Sequence, residues 1–198
     1  MSNPHPDFKK WQDLLMLLET GKLKIPKFQR EFIWKPDKTG KLLDSIVRGF
    51  PIGTFILWKS DTPLAAVKEV AGVKFPKTPD GESVFYILDG QQRLASLFVS
   101  INGEKITDPN NPKNLIDYGK FYVNLEKDPM SAYDESLVTF EPPTSGEKSI
   151  TIYDLLNQPF TFFTKQYDQK YHNRIVEYQN KFNTYEFSII ETVIFNLL

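Results

Sequence analysis

Apolar and polar residues alternate in short blocks along this chain, and the period of each block predicts an element. Leu94, Leu97, Phe98 and Ile101 recur at three- and four-residue intervals, the stripe of an amphipathic helix beginning near Gln91. Directly before it, Phe85-Tyr86-Ile87-Leu88 is β-branched and aromatic, so the stretch Phe85–Leu94 reads as strand, tight turn and helix. Phe8, Trp11, Leu14, Leu15 and Leu18 predict an earlier helix over about 8–20, ended by Gly21. Leu42, Leu43, Ile46 and Val47 predict another over about 38–48, closed by Gly49 and Pro51. A short helix with Ile152, Leu155 and Leu156 takes its cap from Ser149 or Thr151. Tyr167, Tyr171, Ile175, Tyr178 and Phe182 predict a last helix over about 165–183, its aromatic stripe a packing face.

Strand patterns occur at Leu23 and Ile25, at Thr54–Trp58, at Phe121–Leu125 and at Tyr185–Glu191. Residues 59–83 read as a loop or irregular hairpin with an Asp80-Gly81 turn, while 102–119 and 126–149 have loop composition. The chain stops inside the apolar run Val193–Leu198, which is the expected mark of an N-terminal fragment.

Composition narrows the class. With 198 residues and 40% hydrophobic content, the chain can bury the core of one domain. A net charge of −1 gives no global attraction to nucleic acid, so polyanion binding must come from a local patch. Cysteine is absent, which removes disulfides, thiolate zinc sites and cysteine nucleophiles. His5 and His172 are the only histidines, one near the terminus and one on a predicted exposed helix, so a Ser/His/Asp triad or conventional zinc site is not expected. No signal peptide, no apolar run near 18 residues, no P-loop and no G-x-G-x-x-G motif is present. The expectation is a soluble, cytoplasmic chain with no membrane partner, whose chemistry rests on carboxylate, amide and guanidinium groups plus a metal. That inventory suits phosphoryl transfer.

The first turn of the helix at Gln91 gathers such groups. Its N–H groups lack intrahelical partners and carry the positive end of the macrodipole, roughly half an elementary charge, so an anion is favoured there. Gly90 lets a bound group approach the backbone, Arg93 offers a fork of donors suited to phosphate, and Gln91 and Gln92 both donate and accept. Asp89 repels a phosphate unless Mg²⁺ bridges the two or the carboxylate orients a water. The alternative is local: Asp89 as an N-cap, with Gln92 its capping-box partner. A second stretch is basic. Lys22, Lys24, Lys27, Arg30, Lys35, Lys38, Lys41 and Arg48 face only Glu31, Asp37 and Asp44 between residues 22 and 48. It is either a solvated face over Phe28, Phe32 and Trp34, or a source of Gln29 and Arg30 for the pocket of Asp89 and Arg93, with lysines steering a phosphate-bearing ligand.

Ile25-Pro26-Lys27-Phe28-Gln29-Arg30-Glu31-Phe32-Ile33-Trp34 and Ile87-Leu88-Asp89-Gly90-Gln91-Gln92-Arg93-Leu94, with Phe50-Pro51-Ile52-Gly53 between them, resemble the N-terminal domain of GmrSD-type restriction systems, domain of unknown function family 262. The resemblance implies an α/β (α+β) fold of the ParB/sulfiredoxin-like kind, a small mixed sheet with flanking helices. On that basis residues 1–198 form a single domain with a core over about 8–125 and a helical and strand extension over about 149–198. It further implies a nucleoside triphosphate and Mg²⁺ as ligands, with Asp89, Gln91, Gln92 and Arg93 catalytic, Gln29, Arg30, Gly90 and Arg93 binding nucleotide, and Asp89 holding the metal. Implied partners are DNA and an HNH-type nuclease domain, within a defence against modified foreign DNA. Sulfiredoxins place a cysteine where Gln91 stands, so thiol chemistry does not transfer. The family's later Arg/Asn/Gly motif and its nuclease domain are not in this sequence, so weak or absent turnover by the fragment alone is expected. The competing functions are a non-catalytic DNA-binding or sensor module using 22–48, and a packing domain of a larger complex.

Overall fold

The computed structural model describes residues 4–26, 32, 34–61, 69–70, 73–74, 76–108, 111–130, 135–143 and 146–192. Its elements are β1 (His5–Lys9), α1 (Trp11–Glu19), β2 (Leu23–Lys24), α2 (Pro36–Arg48), β3 (Phe55–Ser60), β4 (Glu69–Val70), β5 (Val73–Lys74), β6 (Val84–Asp89) and α3 (Gln91–Ile101). They continue as β7 (Lys105–Asp108), β8 (Asn111–Asp117), a 3₁₀ turn (Tyr118–Lys120), β9 (Tyr122–Asn124), β10 (Val138–Thr139), β11 (Ser149–Thr151), α4 (Ile152–Asn157), α5 (Phe160–Gln166), α6 (Gln169–Thr184) and β12 (Phe187–Thr192). This is the expected mixed α/β class. The chain divides into two compact units, one of residues 1–32, 52–95 and 185–198, the other of residues 33–51 and 96–184.

The first unit is built on a five-stranded sheet in the order β1-β12-β3-β6-β2. β12 runs parallel to β3, β2 parallel to β6, and the other neighbours are antiparallel. Phe55, Leu57, Tyr86, Ile87, Phe187 and Ile189 are buried along these strands, and Trp11, Leu14 and Leu18 of α1 join the core. Strand β1 was not expected. Its Pro6 and Asp7 are poor strand formers, and it survives as an edge strand, where a missing N–H costs little. Phe8 therefore lies in a strand, 63% exposed, and not on the buried stripe of the first helix. Opposite β3 the register of β6 slips: Ile56 faces Asp89 but Leu57 faces Ile87, a bulge at Leu88 immediately before α3.

In the second unit, α2 ends as expected at Gly49, in the left-handed conformation with φ +78°. Residues 102–119, read as loop, instead hold the antiparallel hairpin β7–β8. β8 is mostly exposed and polar and lacks the alternation that marks a half-buried strand, and β7 alternates over only four residues. The helix expected over 165–183 is two helices. Tyr167 is extended (φ −128°, ψ 143°), and the Asp168 carbonyl accepts the Tyr171 N–H as α6 begins. Of the expected stripe, Tyr171, Ile175, Tyr178 and Phe182 are buried on α6, whereas Tyr167 lies in the break and is only partly buried. Thr151 caps α4, its hydroxyl accepting the Asp154 N–H at 2.9 Å. Among the described residues, no helix is long and apolar enough to cross a membrane.

Candidate functional site

The corner between β6 and α3 is set by Gly90. Its φ of +94° is open to glycine and strained for other residues, and a Cβ there would lie 2.4 Å from the Phe55 ring. The turn is therefore a glycine for a packing reason, in addition to any close approach by a ligand. The Gly90 carbonyl accepts the Leu94 N–H at 2.9 Å, which makes Gly90 the cap of α3. Asp89 is the last residue of β6 and not the cap, which corrects the local alternative. Gly90 has no side chain with which to cap, so the first-turn N–H groups of α3 gain nothing from the cap residue itself.

Helix α3 is buried almost all round rather than on one face. Leu94, Ala95, Leu97, Val99 and Ile101 are buried, as are Ser96 and Ser100, and Gln91 and Gln92 are only 7% and 6% exposed. At its start Asp89 and Arg93 have contrasting environments, the Asp89 side chain 65% exposed and that of Arg93 15% exposed.

Arg93 stands at the positive end of the helix dipole, where a cation is disfavoured. What holds it there is a ring of oxygens. Nη1 donates to the Ile52 carbonyl at 2.8 Å, and Nη2 donates to the Thr54 carbonyl at 2.9 Å and to Asp89 Oδ2 at 2.9 Å. The guanidinium carbon also sits 4.9 Å from the centre of the Phe55 ring. The turn that supplies these carbonyls is secured from β12 as well, Thr54 Oγ1 lying 3.2 Å from Ser188 Oγ. Burial pushes the Tyr185 hydroxyl above its ordinary value, and its hydrogen bond with the Ile52 backbone pulls partly back. Thr54, Phe55, Tyr185 and Ser188 were given no site role from the sequence, and Ile52 and Gly53 entered only as part of the stretch between the two motifs. The one signal was the glycine of Phe50-Pro51-Ile52-Gly53, lying between the two motifs.

Asp89, Gly90, Gln91, Gln92 and Arg93 are thus consecutive on one corner, with Asp89 facing outward. Gln29 and Arg30 lie outside the described residues. The donor set fits a magnesium nucleotide in one mode. Among the described residues no group of three or more metal-ligating side chains converges. Mg²⁺ shared with phosphates needs only one or two protein carboxylates, however, and the exposed Asp89 beside a helix N-terminus supplies one.

The family model of the GmrSD restriction endonuclease N-terminal domain matches residues 12–196, almost the entire chain. The chain belongs to this family. The match takes in both motifs and the glycine turn between them, so the GmrSD N-terminal family frames the corner just described. An uncharacterized protein of Methanocaldococcus jannaschii is 28% identical over 169 residues, covering 83% of this chain. The chain spans only about a quarter, 27%, of the length of that relative.

Proposed function

We propose that this GmrSD N-terminal domain binds a nucleoside triphosphate with Mg²⁺ at the β6–α3 corner and hydrolyses it, serving a modification-dependent restriction system that acts on DNA with an HNH-type nuclease domain. The observation that carries this reading is the exposed Asp89 carboxylate beside the N-terminus of α3, two features that together accept a metal-bridged polyphosphate. Bound Mg²⁺ would neutralise charge developing on the phosphates and lower the pKa of a coordinated water. Asp89 would hold that ion or orient the water, the α3 N–H groups would receive phosphate oxygens, and the buried Gln91 and Gln92 line the first turn of that helix. A ParB/sulfiredoxin-like relationship is consistent with the mixed sheet leading into α3. Phosphate release by the wild-type chain and by Asp89→Ala, at equal circular dichroism, tests the assignment. Loss of Mg²⁺-dependent release in the variant is expected, and equal rates remove Asp89 from the mechanism.

A second reading, DNA binding through residues 22–48, draws on Lys35, Lys38 and Lys41, which are exposed at three-residue spacing at the start of α2. Arg48 does not contribute, being 8% exposed and bonded within the protein. This reading predicts duplex binding that weakens with salt and loses a slope of about 0.9 per lysine replaced by alanine. A flat salt response ends it.

A further inference from the structure

A guanidinium carries five N–H donors in a rigid fork, and recognition of phosphate uses two of them side by side. In Arg93 three of the five are already engaged, one on Nη1 and both on Nη2. The Ile52 carbonyl takes Nη1, and the Thr54 carbonyl and Asp89 Oδ2 both take Nη2, all within 2.9 Å. The surrounding backbone is shaped to the group. Gly53, at φ +87°, passes so close that a Cβ would stand 2.7 Å from Nη1, and a Cβ on Gly90 would stand 3.2 Å from Nη2. The Phe55 ring covers one face of the fork.

We infer that Arg93 is a positioning residue of this corner and not a phosphate ligand: it ties the Ile52–Thr54 turn to α3 and fixes one oxygen of Asp89. Oδ2 is held by Arg93 at 2.9 Å while the Asp89 side chain is 65% exposed, so one oxygen of an accessible carboxylate is fixed in place. The role of that carboxylate toward metal or water rests on the nucleotide reading above; the clamp itself does not. Gly53 then belongs to the same device, since its missing side chain is what allows Nη1 to reach the Ile52 carbonyl.

The test uses Arg93→Lys, which keeps the charge but loses the fork, and Gly53→Ala, which disturbs the clamp without altering Arg93. Three quantities are measured on the 198-residue chain. They are amide hydrogen exchange at Gly53–Phe55 without nucleotide, the Kd of fluorescent, non-hydrolysable ATP and GTP analogues with Mg²⁺, and kcat with Mg²⁺. Both variants should speed exchange at 53–55 and lower kcat by about tenfold or more, with Kd within about threefold of wild type. A Kd raised by about thirtyfold in Arg93→Lys, with exchange unchanged, makes Arg93 a phosphate ligand and overturns the inference. Unchanged values throughout overturn it as well. If the wild type binds and hydrolyses no nucleotide, the nucleotide reading fails separately, while the exchange data still decide the clamp. Should Arg93→Lys lose its circular dichroism signal, Gly53→Ala carries the comparison.

Discussion

At the scale of single residues, the corner is held by what two glycines leave out. Replacing Gly90 by alanine demands a strained φ of +94° and drives a Cβ to 2.4 Å from the Phe55 ring. The expected cost is about 2–4 kcal/mol, or a fall in Tm of roughly 5–15 °C for a chain of this size. Thermal denaturation followed by circular dichroism measures it, and a fall under 2 °C would show that the turn relaxes freely. A second residue reports through pH. Burial, with the Asp108 carboxylate adding to it, pushes the Tyr118 hydroxyl to about 12, and its O–H donates to the Trp34 carbonyl at 2.6 Å. Because the folded value is raised, the stabilisation is complete below the unfolded value, about 10, and is lost as pH rises through about 12. Tyr118→Phe should therefore be less stable than wild type by about 1 kcal/mol at pH 8, with the gap closing and then reversing between pH 10 and 12. A constant gap over that range contradicts the assignment. Asp89, Gly90 and Arg93 were legible because they sit together in sequence. Ile52 and Thr54 were not, because they act through carbonyls that every residue possesses.

At the scale of elements, periodic patterns were read correctly where apolar residues recur on a buried face and were missed where burial is sparse. The period placed α2, α3 and the packing face of α6, but not the hairpin β7–β8, which is open on most of its surface. The most consequential unread contact joins α2 to the segment that follows β9. Arg48, its side chain 2% exposed, pairs with Asp44 at 2.9 Å and donates to the carbonyls of Pro129 and Glu135. Asp44 Oδ1 in turn accepts the N–H groups of Leu137 and Val138 at 2.6 and 3.0 Å. Asp44→Ala removes a carboxylate paired with Arg48, whose charge stays buried against the Pro129 and Glu135 carbonyls, and should cost about 3–5 kcal/mol, more than the double variant Asp44→Ala/Arg48→Met. Urea denaturation of the three proteins decides this, and equal losses in single and double variants would contradict the coupling.

At the scale of the molecule, the same Arg48 shows why a count of charges did not define a surface. One member of the basic stretch is spent inside the second unit, while Lys22 pairs with Glu82 at 3.0 Å in the first. The division into two units was also hidden, because each is assembled from segments far apart in the chain. Family membership, by contrast, was carried by two short motifs, each contiguous in sequence, which is why it could be read before any fold was known. The central claim, that the β6–α3 corner receives a metal-bridged polyphosphate, is tested most directly by thermal shift of wild type and Asp89→Asn with nucleoside triphosphates, with and without Mg²⁺. Asparagine keeps an acceptor for Arg93 and removes the charge. At a nucleotide concentration on the order of a hundredfold Kd, the wild-type Tm should rise by about 5–10 °C only when Mg²⁺ is present, and the variant should lose that Mg²⁺-dependent rise. An equal rise in the two proteins, or none in the wild type, would contradict the claim.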